Sequence, residues 1–195
     1  TSFSTEANEV LQLIYDKLND YDADLNIQPS LADSTTASAD GTTVTYVLRQ
    51  GVTWHDGEPF TADDVVFSWD LLHDPAAAAF TFGTYQPIKL ARKIDSHTVR
   101  LEYFKPTPAW ADAFVSDPVL PRKHFAAYMG TKSRDAPANL KAIGTGPYRL
   151  VDFKPGDLVR AEANAAYHMP NRPHFDAIEI KGGGDSVSAA RAVLQ

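Results

Sequence analysis

The stretch that most constrains the fold runs from Val44 to Leu72, VTYVLRQGVTWHDGEPFTADDVVFSWDLL, and spells a strand, a tight turn and a capped helix in succession. Val44, Tyr46 and Leu48 alternate with Thr43, Thr45 and Val47, the period of a strand with one face turned to a core. Asp56-Gly57 supplies a turn, because glycine accepts positive φ without steric cost. Thr61 is placed to cap a helix, with Asp64 completing an aspartate version of the capping box and Phe60 and Val65 forming a hydrophobic staple. Asp63 and Asp64 add negative charge where first-turn amides are unpaired. Val65, Trp69 and Leu72 then share a face, and Asp74-Pro75 ends the helix.

Around this unit the pattern predicts a helix over Thr5–Asn19, with Ala7, Leu11, Ile14 and Leu18 inward, and a polar connection over Tyr21–Asp40. Phe80 to Tyr85 reads as an aromatic loop. Lys89 to Phe104 reads as a hairpin turning at Ile94-Asp95-Ser96-His97. Short helices are expected over Ala109–Phe114 and from Pro121 to Tyr128, then a loose surface passage over Arg134–Ala142. A second hairpin joins Tyr148–Phe153 to Leu158–Glu162, followed by a strand at Ala177–Ile180. Gly182-Gly183-Gly184 leads, as a flexible joint, into a last helix from Ser186.

Composition narrows the function classes. The 195 residues are 44% hydrophobic, enough for a sizeable core in one or two domains. A net charge of −7 and a pI near 5.2 disfavour a nucleic-acid or anionic-membrane partner. No apolar run reaches membrane-spanning length, and the absence of cysteine removes disulfides, thiolate metal sites and cysteine nucleophiles.

No local pattern assembles a catalytic or metal site, and a Ser-His-Asp triad with scattered members stays open from sequence alone. Asp63 and Asp64 point about 100° apart on a helix and serve its first turn. The six histidines (His55, His73, His97, His124, His168 and His174) have no ligand spacing, and His168 and His174 read as exposed loop residues near Pro170 and Pro173. No G-x-S-x-G elbow appears. Gly144-Thr145-Gly146 precedes a strand rather than a helix, which suits a tight crossing between domains better than a dinucleotide site.

The segment Leu48 to Val65, with its Gly51-Val52-Thr53-Trp54-His55-Asp56-Gly57 and Phe60-Thr61-Ala62-Asp63-Asp64, resembles the signature of family 5 extracellular solute-binding proteins, the peptide- and nickel-capturing receptors of ABC importers. The likeness continues in order through Ile14-Tyr15-Asp16-Lys17-Leu18, Pro29-Ser30-Leu31-Ala32-Asp33, Ile94-Asp95-Ser96-His97-Thr98-Val99, Gly144-Thr145-Gly146-Pro147-Tyr148, Lys154-Pro155-Gly156-Asp157, Asn164 and Tyr167 to the Ala189–Gln195 segment. Ala163 and His168 depart from the family's usual arginine and tryptophan.

The resemblance implies a mixed α/β, periplasmic-binding-protein-like fold of the class II type. Family members look more than twice as long, so it also implies an incomplete one: a first-lobe segment (1–32), the small middle domain (33–142) and a first-lobe continuation (143–195), without the second lobe. It implies a non-enzymatic receptor, periplasmic or extracellular and lipid-anchored in some members. The receptor would be a monomer with no cofactor or metal of its own, delivering a small solute, an oligopeptide by family frequency, to a membrane permease. Carried over residue by residue, it names Ser2, Phe3, Ser4, Phe82 and Tyr85 as cleft-lining candidates, beside ordinary packing for each. Two other classes remain open at this point: a metal- or acid-dependent periplasmic hydrolase, and a scaffold module with no ligand of its own.

Overall fold

The computed structural model describes residues 5–154 and 157–181, the first five of these by backbone alone. Its elements are α1 (Thr5–Ile14), β1 (Asn19–Tyr21), β2 (Ile27–Pro29), β3 (Ala32–Ala37), β4 (Thr43–Leu48), α2 (Ala62–His73), α3 (Phe82–Tyr85), β5 (Ile88–Asp95), β6 (Thr98–Tyr103), α4 (Asp112–Ser116), α5 (Arg122–Phe125), β7 (Tyr148–Lys154), β8 (Leu158–Ala163) and β9 (Ala177–Lys181), with four short 3-10 turns between them. The strands form an antiparallel sheet of order β3-β4-β6-β5, a β7-β8-β9 meander and the small β1-β2 pair. The fold is mixed α/β.

The strand–turn–helix unit is at the centre, as its sequence demands. Val44, Tyr46 and Leu48 are all buried, and β4 pairs on both sides, Val44 facing Leu101 and Tyr46 facing Val99 on β6. Gly57 takes φ +85°, and Trp54, on the near side of the turn, packs edge-on to Phe60 at 5.9 Å. Thr61 caps α2 with the full capping box, and Asp74 ends it. α2 is buried on two faces rather than the one expected. Val65 and Trp69 enter the main core, while Phe67 and Leu71 enter a second cluster with Ala77, Phe125, Ala136 and Ala138. At roughly 1.5–3 kcal/mol for each fully buried large side chain, that second face is a substantial part of the helix's anchorage.

Four expectations need correction. α1 stops at Ile14, short of Asn19. The backbone beyond is claimed by tertiary partners: the Ile14 carbonyl accepts the Gly146 N–H, Asp16 O that of Val119, and Leu18 O those of Ser30 and Ala32. Residues 21–40 contain strands β2 and β3 rather than only a polar connection. β3 (ADSTTA) hides from a periodicity argument because it is an edge strand whose only buried residue is Ala32. The aromatic loop contains a single helical turn, α3. The 134–142 passage is not loose: Ala136 and Ala138, 3% and 6% exposed, close the second cluster. The Ser186 helix and the Gly182–Gly184 joint lie outside the described residues.

Candidate functional site

Of the five cleft-lining candidates, Ser2, Phe3 and Ser4 lie outside the described residues. The other two sit on α3 and face different ways. Tyr85 is fully buried, edge-on to Phe114 at 5.5 Å, and its hydroxyl donates to the Ala113 carbonyl at 2.6 Å. Phe82 is only partly covered and leans on His73, which stacks on Trp69 at 5.0 Å. Phe80, just before it, is 78% exposed. α3 is tied to the rest of the fold where the Thr81 hydroxyl donates to Asp117 at 3.0 Å. Burial holds the Asp117 carboxyl above its usual range, against the opposing pull of the Thr81 and Tyr85 hydroxyls. This rim leaves one aromatic ring partly exposed and uses the other as core.

The motifs singled out from the sequence meet elsewhere, at the crossing from the 3-10 turns into β7. A Cβ placed on Gly144 would overlap the Ile14 carbonyl oxygen, and one on Gly146 would stand 2.7 Å from it. Glycine is therefore required twice, as the tight-crossing reading expected. His55, from the turn between β4 and α2, grips this crossing from outside. Its N–H donates to Gly144 O at 2.9 Å, its Nδ1 accepts the Gly144 N–H at 3.2 Å, and its Nε2 lies 3.0 Å from Gly146 O. With Nδ1 accepting, Nε2 must carry the proton, so the ring is held as one neutral tautomer. Burial, the dominant influence, pushes its pKa below the usual imidazole value.

On the inner side of the same crossing stands Asp16, with a side chain 9% exposed. It accepts from the Thr145 hydroxyl at 3.2 Å, the Tyr167 hydroxyl at 3.2 Å and His168 Nε2 at 3.1 Å. His168, with a side chain 4% exposed, is thus a buried partner of Asp16 and not the exposed loop histidine expected. Asn164 completes the arrangement, its side-chain amide donating to Gly146 O at 3.1 Å. Sequence reasoning missed Asp16 and His168 as a pair because 152 positions separate them. The available signal was the resemblance itself, which brought Asp16, Thr145 and Tyr167 into one set of motifs.

Asp64 does more than cap α2. It also accepts the Arg122 N–H at 3.1 Å and lies 3.4 Å from Trp54 Nε1, tying together the turn, α2 and α5. Burial raises its pKa, outweighing the hydrogen bonds from Thr61, Arg122 and Trp54. Nearby, Asp56 accepts from Lys123 Nζ at 3.2 Å and pairs with His124 Nε2 at 2.9 Å. Asp63 is taken by Lys93. Among the described residues no group of three or more His, Asp or Glu side chains could hold a metal ion. None of the described helices is long and apolar enough to cross a membrane.

Comparison with known proteins gives one consistent picture. The profile of bacterial extracellular solute-binding proteins, family 5 Middle, matches residues 26–195. The chain is similar to the glutathione-binding protein GsiB of Shigella boydii serotype 4 (strain Sb227), 29% identical over 191 residues, which covers 98% of this chain and 36% of that protein. Among solved structures, it superposes on NikZ from Campylobacter jejuni in complex with Ni(L-His) with a TM-score of 0.87 at 30% identity, covering 95% of this chain and 36% of that one. The oligopeptide-binding protein AppA from Bacillus subtilis, in complex with a nonapeptide, gives a TM-score of 0.91 at 27% identity over 99% of this chain and 38% of its own. The chain thus spans little more than a third of the length of these relatives. Its fold is that part of the solute-binding protein fold.

Proposed function

Because the chain belongs to family 5 of the bacterial extracellular solute-binding proteins, we propose that it is part of a receptor that captures a small solute and hands it to a membrane permease of the ABC class. The observation that carries this reading is the superposition of nearly the whole chain on AppA and NikZ, each determined with a small solute in complex. A nonapeptide, a nickel–histidine complex and glutathione, the ligand in GsiB's name, have amino-acid-derived amino and carboxylate groups in common. The ligand class proposed for this chain follows: a short peptide or a comparable amino-acid derivative.

The physical mechanism is enclosure rather than reaction. A polar solute held between lobes loses its water, and backbone groups and aromatic faces replace it without reading each side chain. Phe82 contributes a partly exposed aromatic face, and Tyr85 braces Phe82's helical turn from within; Ser2, Phe3 and Ser4 stay candidates on the resemblance alone. The proposed division at 142/143 draws on the glycine crossing at 144–146 and that at 32/33 on the resemblance alone; one hydrophobic cluster runs unbroken from Ile14 and Leu18 to Val44 and Val65. The reading also gives a monomer without catalytic groups or bound cofactor, placed outside the cytoplasmic membrane, free or on a lipid anchor. Tryptophan fluorescence of the intact protein, titrated with short peptides, glutathione and nickel–histidine, tests it. Saturable change with one of them is expected, and a flat response to all three would overturn the ligand class.

A further inference from the structure

We propose that His55 is a proton-operated latch on the Gly144–Gly146 crossing, closed when its imidazole is neutral and released when Nδ1 takes up a proton. The geometry leaves no alternative closed form. Nδ1 receives the Gly144 N–H at 3.2 Å, so a proton there would set two donors against each other. Nε2 faces Gly146 O at 3.0 Å and must remain the donor, so the ring cannot turn over to accommodate the charge. Both contacts span some ninety positions, joining the turn before α2 to the entrance of β7.

The charged groups around the ring do not rescue the cation. Asp16 faces it from the segment after α1, but three donors already occupy that carboxylate. Asp56, next along its own turn, is engaged by Lys123 and His124 of α5. Arg149 of β7 opposes a positive ring, and Glu162 of β8 lines the same recess without bonding it. Burial acts in the same direction as Arg149. Acidification therefore loosens the turn from the crossing.

Once released, the ring takes a proton that the latched form refuses. Below the ordinary imidazole value, opening of the crossing should then rise with acid, by at most about tenfold per pH unit for one proton. The other backbone and amide ties there, His55 N–H to Gly144 O and Gly146 N–H to Ile14 O, each at 2.9 Å, and the Asn164 amide to Gly146 O at 3.1 Å, involve no titratable group, whereas the Thr145 hydroxyl bonds the Asp16 carboxylate.

The test is amide hydrogen exchange at Gly144 and Gly146 in the full chain from about pH 7.5 to about pH 5, corrected for intrinsic exchange, with the His55 ring followed by NMR. Below the ordinary imidazole value, wild type should lose protection at both amides as acid is added, by at most about tenfold per pH unit. His55→Gln, whose side chain both accepts and donates without titrating, should hold its protection across the range. His124→Gln should retain the wild-type loss. The same acid loosening in His55→Gln would overturn the proposal, as would a wild-type ring that protonates with no change in exchange.

Discussion

Gly144 lies against the Ile14 carbonyl so closely that no side-chain carbon fits between them. The contact explains both the end of α1 and the need for glycine at the crossing. Gly144→Ala should therefore cost more than about 3 kcal/mol, the upper end of ordinary overpacking, because backbone on both sides must move. Gly57→Ala is the contrast. Gly57 has φ +85° but open space around it, so only left-handed strain is added, about 1 kcal/mol. Chemical denaturation of the two variants checks the ranking; equal losses would refute a steric origin at Gly144.

Thr61→Ala and Asp64→Ala are not equivalent, although both touch one cap. Thr61→Ala should cost about 1 kcal/mol through the lost cap. Asp64→Ala also strips the Arg122 N–H and Trp54 Nε1 of their acceptor, and should cost roughly 3 kcal/mol. Thermal unfolding of both variants measures the difference.

Asp64 also carries a pH signature. Its folded-state pKa is raised, so proton uptake favours the fold. As pH climbs from the ordinary carboxylate value through the raised one, this group's contribution to stability falls. The stability of wild type relative to Asp64→Asn should accordingly decline with rising pH across that window, and denaturant midpoints at several pH values would record it. A gap that grows with pH would contradict the buried, desolvated carboxylate described above.

The Asp16 node makes a similar division. Tyr167→Phe removes one of three donors and should cost about 1 kcal/mol, whereas Asp16→Ala strands Thr145, Tyr167 and His168 together and should cost roughly 3 kcal/mol. Equilibrium unfolding of the two variants would show whether the node acts as a unit.

Local signals were legible wherever one element carried its own instructions. Thr61 with Asp64, Asp56-Gly57, the Val44–Leu48 alternation and the Ser96-His97 turn all sit as their chemistry requires. What periodicity could not reveal was decided by contacts between distant segments. β3 has almost no apolar face because it lies at a sheet edge, and α1 gives up its last turn to the crossing. The Phe67/Leu71 face became readable only once Phe125, Ala136 and Ala138 closed over it. Of the candidate site, an aromatic loop was legible in sequence, but not that it forms a helical turn with Tyr85 buried and Phe82 partly exposed.

That division gives a direct functional prediction. Tyr85→Phe leaves the Ala113 carbonyl without its donor and should lower stability by about 1 kcal/mol with little change in ligand affinity. Phe82→Ala should do the reverse, weakening solute binding about tenfold with a small effect on melting. Paired melting and binding curves for the two variants separate the roles.

The receptor reading itself is tested most directly by isothermal titration calorimetry of the intact protein with short peptides, followed by chromatography of the recovered ligand. One saturable site per protein, with the ligand returned unaltered, is the predicted result. Cleaved or otherwise altered ligand, or no heat with any small amino-acid-derived solute, would contradict it.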